Sequence, residues 1–271
     1  MMNQKKRDEN YLSIVLDPIR ICASYLPKMG HGIGAGLKLD DFQKLYGEDT
    51  FYSWFGLDNP LMYAAHKAAG GMTSIYRQIG IGCERLFRAV LKDELNLTDS
   101  DVNWAYTING ANDKLRKLSL DGRIILDKVG NSERREKITR WILESCKYLG
   151  VSSSISKSLK GAVFEVRQGY KSKDSKRQNA DISNAATAYT QAYLPCVIVL
   201  SSQIDTDIVV RYKNEKWLIL TGLALGGNTL DNTYKFFEEV VGYDLADFFS
   251  RNSTILRREM DNILKSLLQA K

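Results

Sequence analysis

Hydrophobic positions recur with a helical period over residues 73–94, where Ile75, Ile79, Cys83, Leu86 and Val90 share one face and Thr73 or Ser74 can cap the first turn. Residues 9–25 read as a second helix, bent at Pro18. Alternating or short apolar runs predict strands at 102–108, 114–120, 123–129, 161–170 and 196–202. The second and third of these meet at Asp121-Gly122, a strong hairpin signal. Helices are predicted over 132–149 and 175–192, the latter broken by Leu194-Pro195. Residues 207–222 read as a hairpin turning at Lys213-Asn214-Glu215, and two helices follow, near 229–241 and 244–269. Over 40–70 the pattern gives short helices and turns, with Phe42, Tyr46, Phe51, Tyr52, Trp54 and Phe55 expected as core and packing residues.

This succession predicts an α/β fold: a central mixed β-sheet flanked by helices, with helical N- and C-terminal additions. The expected regions are an N-terminal helical region and arm at 1–72, an α/β core at 73–222 and C-terminal helices at 223–271, together one compact domain.

Composition narrows the class. The chain has 271 residues, 44% hydrophobic and 26% charged, enough to bury a full core, so disordered and disulfide-scaffold classes are excluded. Its longest apolar runs fall far short of the ~18 residues a membrane span needs. The four cysteines show no CxxC spacing and read as reduced, mostly buried thiols, so a cytoplasmic location is expected. With only two histidines, zinc sites built on several imidazoles are excluded. The glycines of GHGIGAG (30–36) have no strand before them and no Walker lysine after, and read as a linker. The N-terminal MMNQKKRDEN reads as a short arm rather than a signal peptide.

Charge becomes informative once located. Net charge is +6, yet residues 112–177 hold 17 Lys or Arg against 8 Asp or Glu, which leaves the rest of the chain at −3. A localised basic zone suits a polyanion partner or a solvated lysine-rich face, and charge alone does not choose between them.

The acids inside that zone tilt the reading. On the strand AVFEVRQGY, period-two alternation sets Phe164, Val166 and Tyr170 on one face and Val163, Glu165 and Arg167 on the other. A carboxylate on so apolar a strand calls for a cation or metal. The loop after it carries Lys171, Lys173, Lys176 and Arg177 against the single acid Asp174, then opens a helix whose N-terminus favours anions. Asp121 is the best second carboxylate, set against a role in the hairpin turn alone, with Asp127 as the backup. Glu84 is a third candidate, set against an i,i+4 pair with Arg88.

Asp121-Gly-Arg-Ile-Ile-Leu, then Phe-Glu165-Val-Arg167, a basic loop, a helix and the buried strand CVIVL together resemble the PD-(D/E)XK nuclease core, as found in type II restriction endonucleases. The resemblance covers residues 73–202 and departs from the pattern in two places. Arg167 stands where the motif has Lys, and 44 positions separate Asp121 from Glu165, which requires the 132–149 helix as an insertion.

The resemblance implies a Mg²⁺-dependent, site-specific endonuclease acting on double-stranded DNA. Asp121 and Glu165, with Glu84, would bind the metal, and Arg167, Lys171 or Lys173 would stabilise charge at phosphorus, releasing a 3′-hydroxyl and a 5′-phosphate. Ser172, Lys173, Lys176, Arg177, Gln178 and Asn179 would touch phosphates or base edges. Palindromic cutting implies a homodimer, and a restriction system implies a cognate DNA methyltransferase. Two other readings stand beside this one: a non-catalytic nucleic-acid-binding protein with a structural Glu165–Arg167 pair, and an enzyme holding a phosphorylated small molecule at 171–178.

Overall fold

The computed structural model describes residues 4–29, 36–109, 115–170, 175–223 and 225–269. In chain order they form α1 (Gln4–Arg20), α2 (Leu39–Glu48), α3 (Thr50–Trp54), α4 (Pro60–Leu95), α5 (Asp99–Val102), β1 (Trp104–Asn109), β2 (Leu115–Leu120) and β3 (Gly122–Ile125). There follow α6 (Ser132–Leu149), α7 (Ser153–Ser158), β4 (Gly161–Arg167), α8 (Ser175–Thr190), β5 (Tyr193–Val199), α9 (Thr206–Asn214) and β6 (Leu218–Leu220). The last elements are α10 (Thr233–Lys235), a π-helical turn (Phe236–Val241), α11 (Leu245–Arg251) and α12 (Ser253–Leu268). Among the described residues no helix is long and apolar enough to cross a membrane. The chain divides into two units, Met1–Gly82 with Ser250–Lys271, and Cys83–Phe249.

The first unit is helical. In α1, Tyr11, Leu12, Val15, Leu16 and Ile19 are buried, and Pro18 sits near the C-terminal end, where the chain tightens into a 3₁₀ turn at Ile21–Ser24. Asp8 meets Arg251 through a two-bond fork, Nε–Oδ2 2.7 Å and Nη2–Oδ1 2.8 Å, whose hydrogen bond holds the Asp8 carboxyl below its usual range. Helix α4 begins thirteen residues before the expected start. Asn59 Oδ1 caps the Met62 N–H and Pro60 takes the first position. The expected limit of the N-terminal region at residue 72 thus falls inside this helix. Glycine serves close approach in this helix, since a Cβ on Gly82 would meet the Val15 carbonyl at 2.8 Å. Of the aromatics expected in the core, Phe42 is buried, whereas Phe51, Tyr52, Trp54 and Phe55 are exposed. Phe51, Trp54 and Phe55 are three and four positions apart and so share one face of this short helix, with the Phe51 and Phe55 rings 5.2 Å apart, and that face is turned away from the core.

The second unit is the α/β body. Its main sheet has the order β3-β4-β5-β6, with β3 antiparallel to β4 and the other pairs parallel. Helices α8 and α9 make the crossovers that parallel pairing requires. One face packs Val163, Val197, Val199 and Ile219 against Ala185 and Ala188 of α8, Ile208 and Tyr212 of α9, and Trp104, Tyr106 and Leu120 of β1 and β2. On the other face, Phe164 meets Phe87 of α4, Trp141 of α6 and Phe236. The expected mixed sheet between helices is therefore present.

Three local expectations are corrected. Strands β2 and β3 do not form a hairpin at Asp121-Gly122. β2 pairs with β1 in a separate two-stranded sheet, β3 pairs with β4, and Asp121 N–H already bonds the Phe164 carbonyl, extending that ladder. Leu194 and Pro195 lie inside β5, not at a break, with the proline in register opposite Val163. Residues 207–222 form α9 and β6 rather than a hairpin. Asp205 caps α9, and its buried Ile208 and Tyr212, four apart, fit helix as well as their surroundings fit strand. The buried, free thiols Cys83 and Cys146 are pushed up by burial, to about 12 and about 11.

Gly161 pairs with Ile125, and a Cβ there would drive into the Ile124 carbonyl. Gly161→Ala is expected to lower unfolding stability by about 1–3 kcal/mol, through forced separation of β3 from β4. Urea unfolding checks this, and an unchanged midpoint would refute it.

Candidate functional site

The residues of interest meet at the carboxyl end of β4, the end at which open α/β sheets commonly bind ligands. Glu165 and Arg167 lie at the end of that strand, and α8 begins eight residues after Arg167. Because β3 runs antiparallel, its first end reaches the same edge. Asp121 accepts the Val166 N–H on Oδ2 at 2.8 Å, and Arg88 of α4 donates to the Asp121 carbonyl at 2.7 Å. Two acids 44 positions apart in sequence thus flank one dipeptide. Asp127 is exposed in the 3₁₀ turn Leu126–Lys128, beyond the other end of β3, where Leu126 N–H bonds the Lys160 carbonyl. Register thus sets Asp121, not Asp127, next to Glu165.

Arg167 is the centre of the charge cluster. Its Nη2 lies 2.6 Å from Glu165 Oε1 and 3.3 Å from Asp181 Oδ1, and its Nε is buried with no hydrogen-bond partner. Burial alone pulls the guanidinium down, but the charges of Glu165, Asp181 and Asp121 outweigh it and raise it above the usual arginine value. Tyr212 of α9 donates to Asp181 Oδ2 at 2.6 Å, and Tyr170 stands 3.5 Å from the same oxygen and 2.9 Å from the Tyr212 hydroxyl. Tyr170 therefore faces Arg167. The strand ends at Arg167, so the alternation that put Tyr170 on the Phe164 side no longer applies.

Asp181, Tyr170 and Tyr212 were absent from the sequence candidates. Gln178, Asp181, Ala185 and Ala188 are all buried at helical spacing, so a carboxylate sits on the inward face of α8. Among the expected DNA-contacting residues, Gln178 is buried and Asn179 is exposed, and their side-chain oxygens each accept from Arg211 at 2.7 Å. Lys176 and Arg177 belong to α8. Lys171, Ser172 and Lys173 lie outside the described residues.

The basic zone separates in space. Arg123 and Arg135 donate to backbone carbonyls, of Asp101 and Ser100 and of Val129, and so tie loops together. Lys128, Lys157 and Lys160 are exposed around the amino end of β4, about 20 Å from Arg167 for a strand of this length.

A magnesium ion commonly takes one or two carboxylates and fills its remaining positions with water and substrate phosphate. Asp121 and Glu165 offer such hard oxygen donors on adjacent strands, so the donor set fits that ion. Glu84 is half-buried on α4, one turn before Arg88. Among the described residues no group of three or more His, Cys, Asp and Glu side chains is placed to hold a metal. No family model, curated protein or solved structure matches the chain.

Tyr212→Phe is expected to cost about 1.5–3 kcal/mol, the range for a hydrogen bond to a charged group. Burial, then the bonds to Asp181 and Tyr170, push the Tyr212 phenol far above its ordinary 10.0. Its contribution is thus complete below pH 10 and declines as pH rises past it, while the unfolded phenol ionises. Denaturant melts from pH 7 to 11 should show alkaline loss that is shallower in Tyr212→Phe. Parallel profiles would contradict the assignment.

Proposed function

We propose that this chain is a divalent-metal-dependent endonuclease that hydrolyses phosphodiester bonds in double-stranded DNA at specific sites, with a PD-(D/E)XK-like core. One observation supports this above the rest: the Asp121 carboxylate rests on Val166, the middle residue of Glu165-Val166-Arg167. Around that point the chain runs β3, α6, α7, β4, α8 and β5, with α6 standing where the resemblance requires an insertion.

In this reading Asp121 and Glu165 hold Mg²⁺. When bound, that ion would lower the pKa of a water and polarise the phosphate. Arg167 stays charged at all working pH values, so it stabilises negative charge developing at phosphorus and does not act as the base. Asn179 is exposed beside the site. Its oxygen is held by Arg211, so its amide N–H groups are the donors it presents to phosphate or base acceptors. Lys171, Ser172, Lys173, Lys176 and Arg177 complete the proposed DNA contacts. Cutting at a palindrome would use a homodimer, with a cognate methyltransferase protecting the host's own sites.

A second reading has its own support. Arg167 bridges Glu165 and Asp181, and this buried bridge ties β4 to α8. A nucleic-acid-binding protein with a purely structural cluster would use the pair in the same way.

Incubating supercoiled plasmid and phage DNA with the purified protein, in Mg²⁺ or EDTA, separates the two readings. Discrete fragments are expected in Mg²⁺ only, and Glu165→Ala should lose at least about a hundredfold in rate. Retarded but intact DNA in every lane would leave the binding protein, and neither cleavage nor retardation would overturn both.

A further inference from the structure

The Arg167 guanidinium contacts its carboxylates through one nitrogen. Nη2 serves Glu165 Oε1 at 2.6 Å and Asp181 Oδ1 and Oδ2 at 3.3 and 3.4 Å, while the buried Nε has no hydrogen-bond partner. Arginine commonly meets a carboxylate by two parallel N–H bonds, and a buried donor left without a partner calls for an explanation. Asp181 is already built as an acceptor. It is buried on α8, Tyr212 and Tyr170 fix its Oδ2, and Oδ1 is the oxygen nearer Arg167.

We propose that Asp181 is a second seat for Arg167: the guanidinium rests between Glu165 and Asp181, and moves fully onto Asp181 when Glu165 turns to a divalent cation. The inference rests on the metal-dependent reading above. A cation taking Glu165 Oε1 would compete with Arg167, which holds that oxygen at 2.6 Å, and a guanidinium displaced inside the fold needs another carboxylate. The move would also give Nε a partner, closing the two-bond fork that the resting arrangement leaves half made. Asp181 is thus a positioning residue, which acts on Glu165 through Arg167.

The test is Mn²⁺ binding to the full chain, followed by electron paramagnetic resonance. The variants are Glu165→Ala, Asp181→Asn, Arg167→Met and the Arg167→Met/Asp181→Asn double, each checked for fold by near-ultraviolet circular dichroism. Wild type should bind Mn²⁺ in a manner that Glu165→Ala abolishes. Asp181→Asn should weaken binding by roughly 10- to 100-fold, the range for outer partners of metal ligands. Arg167→Met should bind at least as tightly as wild type, and adding Asp181→Asn to it should change nothing.

Unchanged binding in Asp181→Asn, or the same loss in both backgrounds, would overturn the second seat and leave the metal site standing. Absence of Mn²⁺ binding by wild type, or binding indifferent to Glu165→Ala, would overturn the nuclease reading and this inference with it. Should Asp181→Asn fail to fold, Tyr212→Phe takes its place. It keeps the carboxylate but loosens it, so it should weaken Mn²⁺ binding only where Arg167 is present, and equal loss in both backgrounds overturns the proposal.

Discussion

The antiparallel register of β3 on β4 is the constraint from which the candidate site follows. Gly122 stands opposite Phe164, the ladder is continued by Asp121 N–H on the Phe164 carbonyl, and the Asp121 carboxylate then receives the Val166 N–H. Side chains alternate faces with period two, so a slip of one residue would exchange the apolar and charged faces of β4. Phe164 is packed between Phe87, Trp141 and Phe236, which makes that slip prohibitive. The aromatic face thus fixes where Glu165 and Arg167 point, and the close approach of β3 at Gly161 fixes where Asp121 arrives.

What the register brings together is a buried set of like charges around one cation. Three carboxylates act on Arg167, and removing the guanidinium would leave them without it, at about 3–5 kcal/mol for a broken buried pair. Such a cluster is weak support for stability in itself, because a well-packed apolar replacement commonly does as well. Tyr170 and Tyr212 lend it geometry, tying β4, α8 and α9 through one aspartate.

The parts of this arrangement legible in the sequence were those with a strong local period. Helix α6 matches its expected span at both ends, since Asn131 caps it and Gly150, in the left-handed conformation, ends it. The Glu165-Val-Arg167 strand was visible from its polar interruption of an apolar run. The pairing of β3 was not: Asp121-Gly122 is good hairpin chemistry, and only the tertiary partner of β3 shows that the chain passes from one sheet to another there. Pro195 misleads in the same way, because a proline inside a strand is tolerated wherever its missing N–H is not needed. Asp181 was hidden by composition, in a helix rich in Ser, Asn and Ala whose inward face carries little hydrophobic contrast.

Charge shows most clearly how position along the chain differs from position in space. The 112–177 segment reads as one basic patch, yet Lys128, Lys157 and Lys160 lie toward the amino end of β4 and the run 171–177 follows its carboxyl end. Arg88, Arg167 and Arg211 each already hold protein oxygen: the Asp121 carbonyl, the Glu165–Asp181 pair, and the Gln178 and Asn179 amides. These arginines order the site rather than offering a positive face to a polyanion. Attraction for phosphate at the carboxyl end of β4 would then fall to the basic run 171–177, which follows Tyr170 and opens α8.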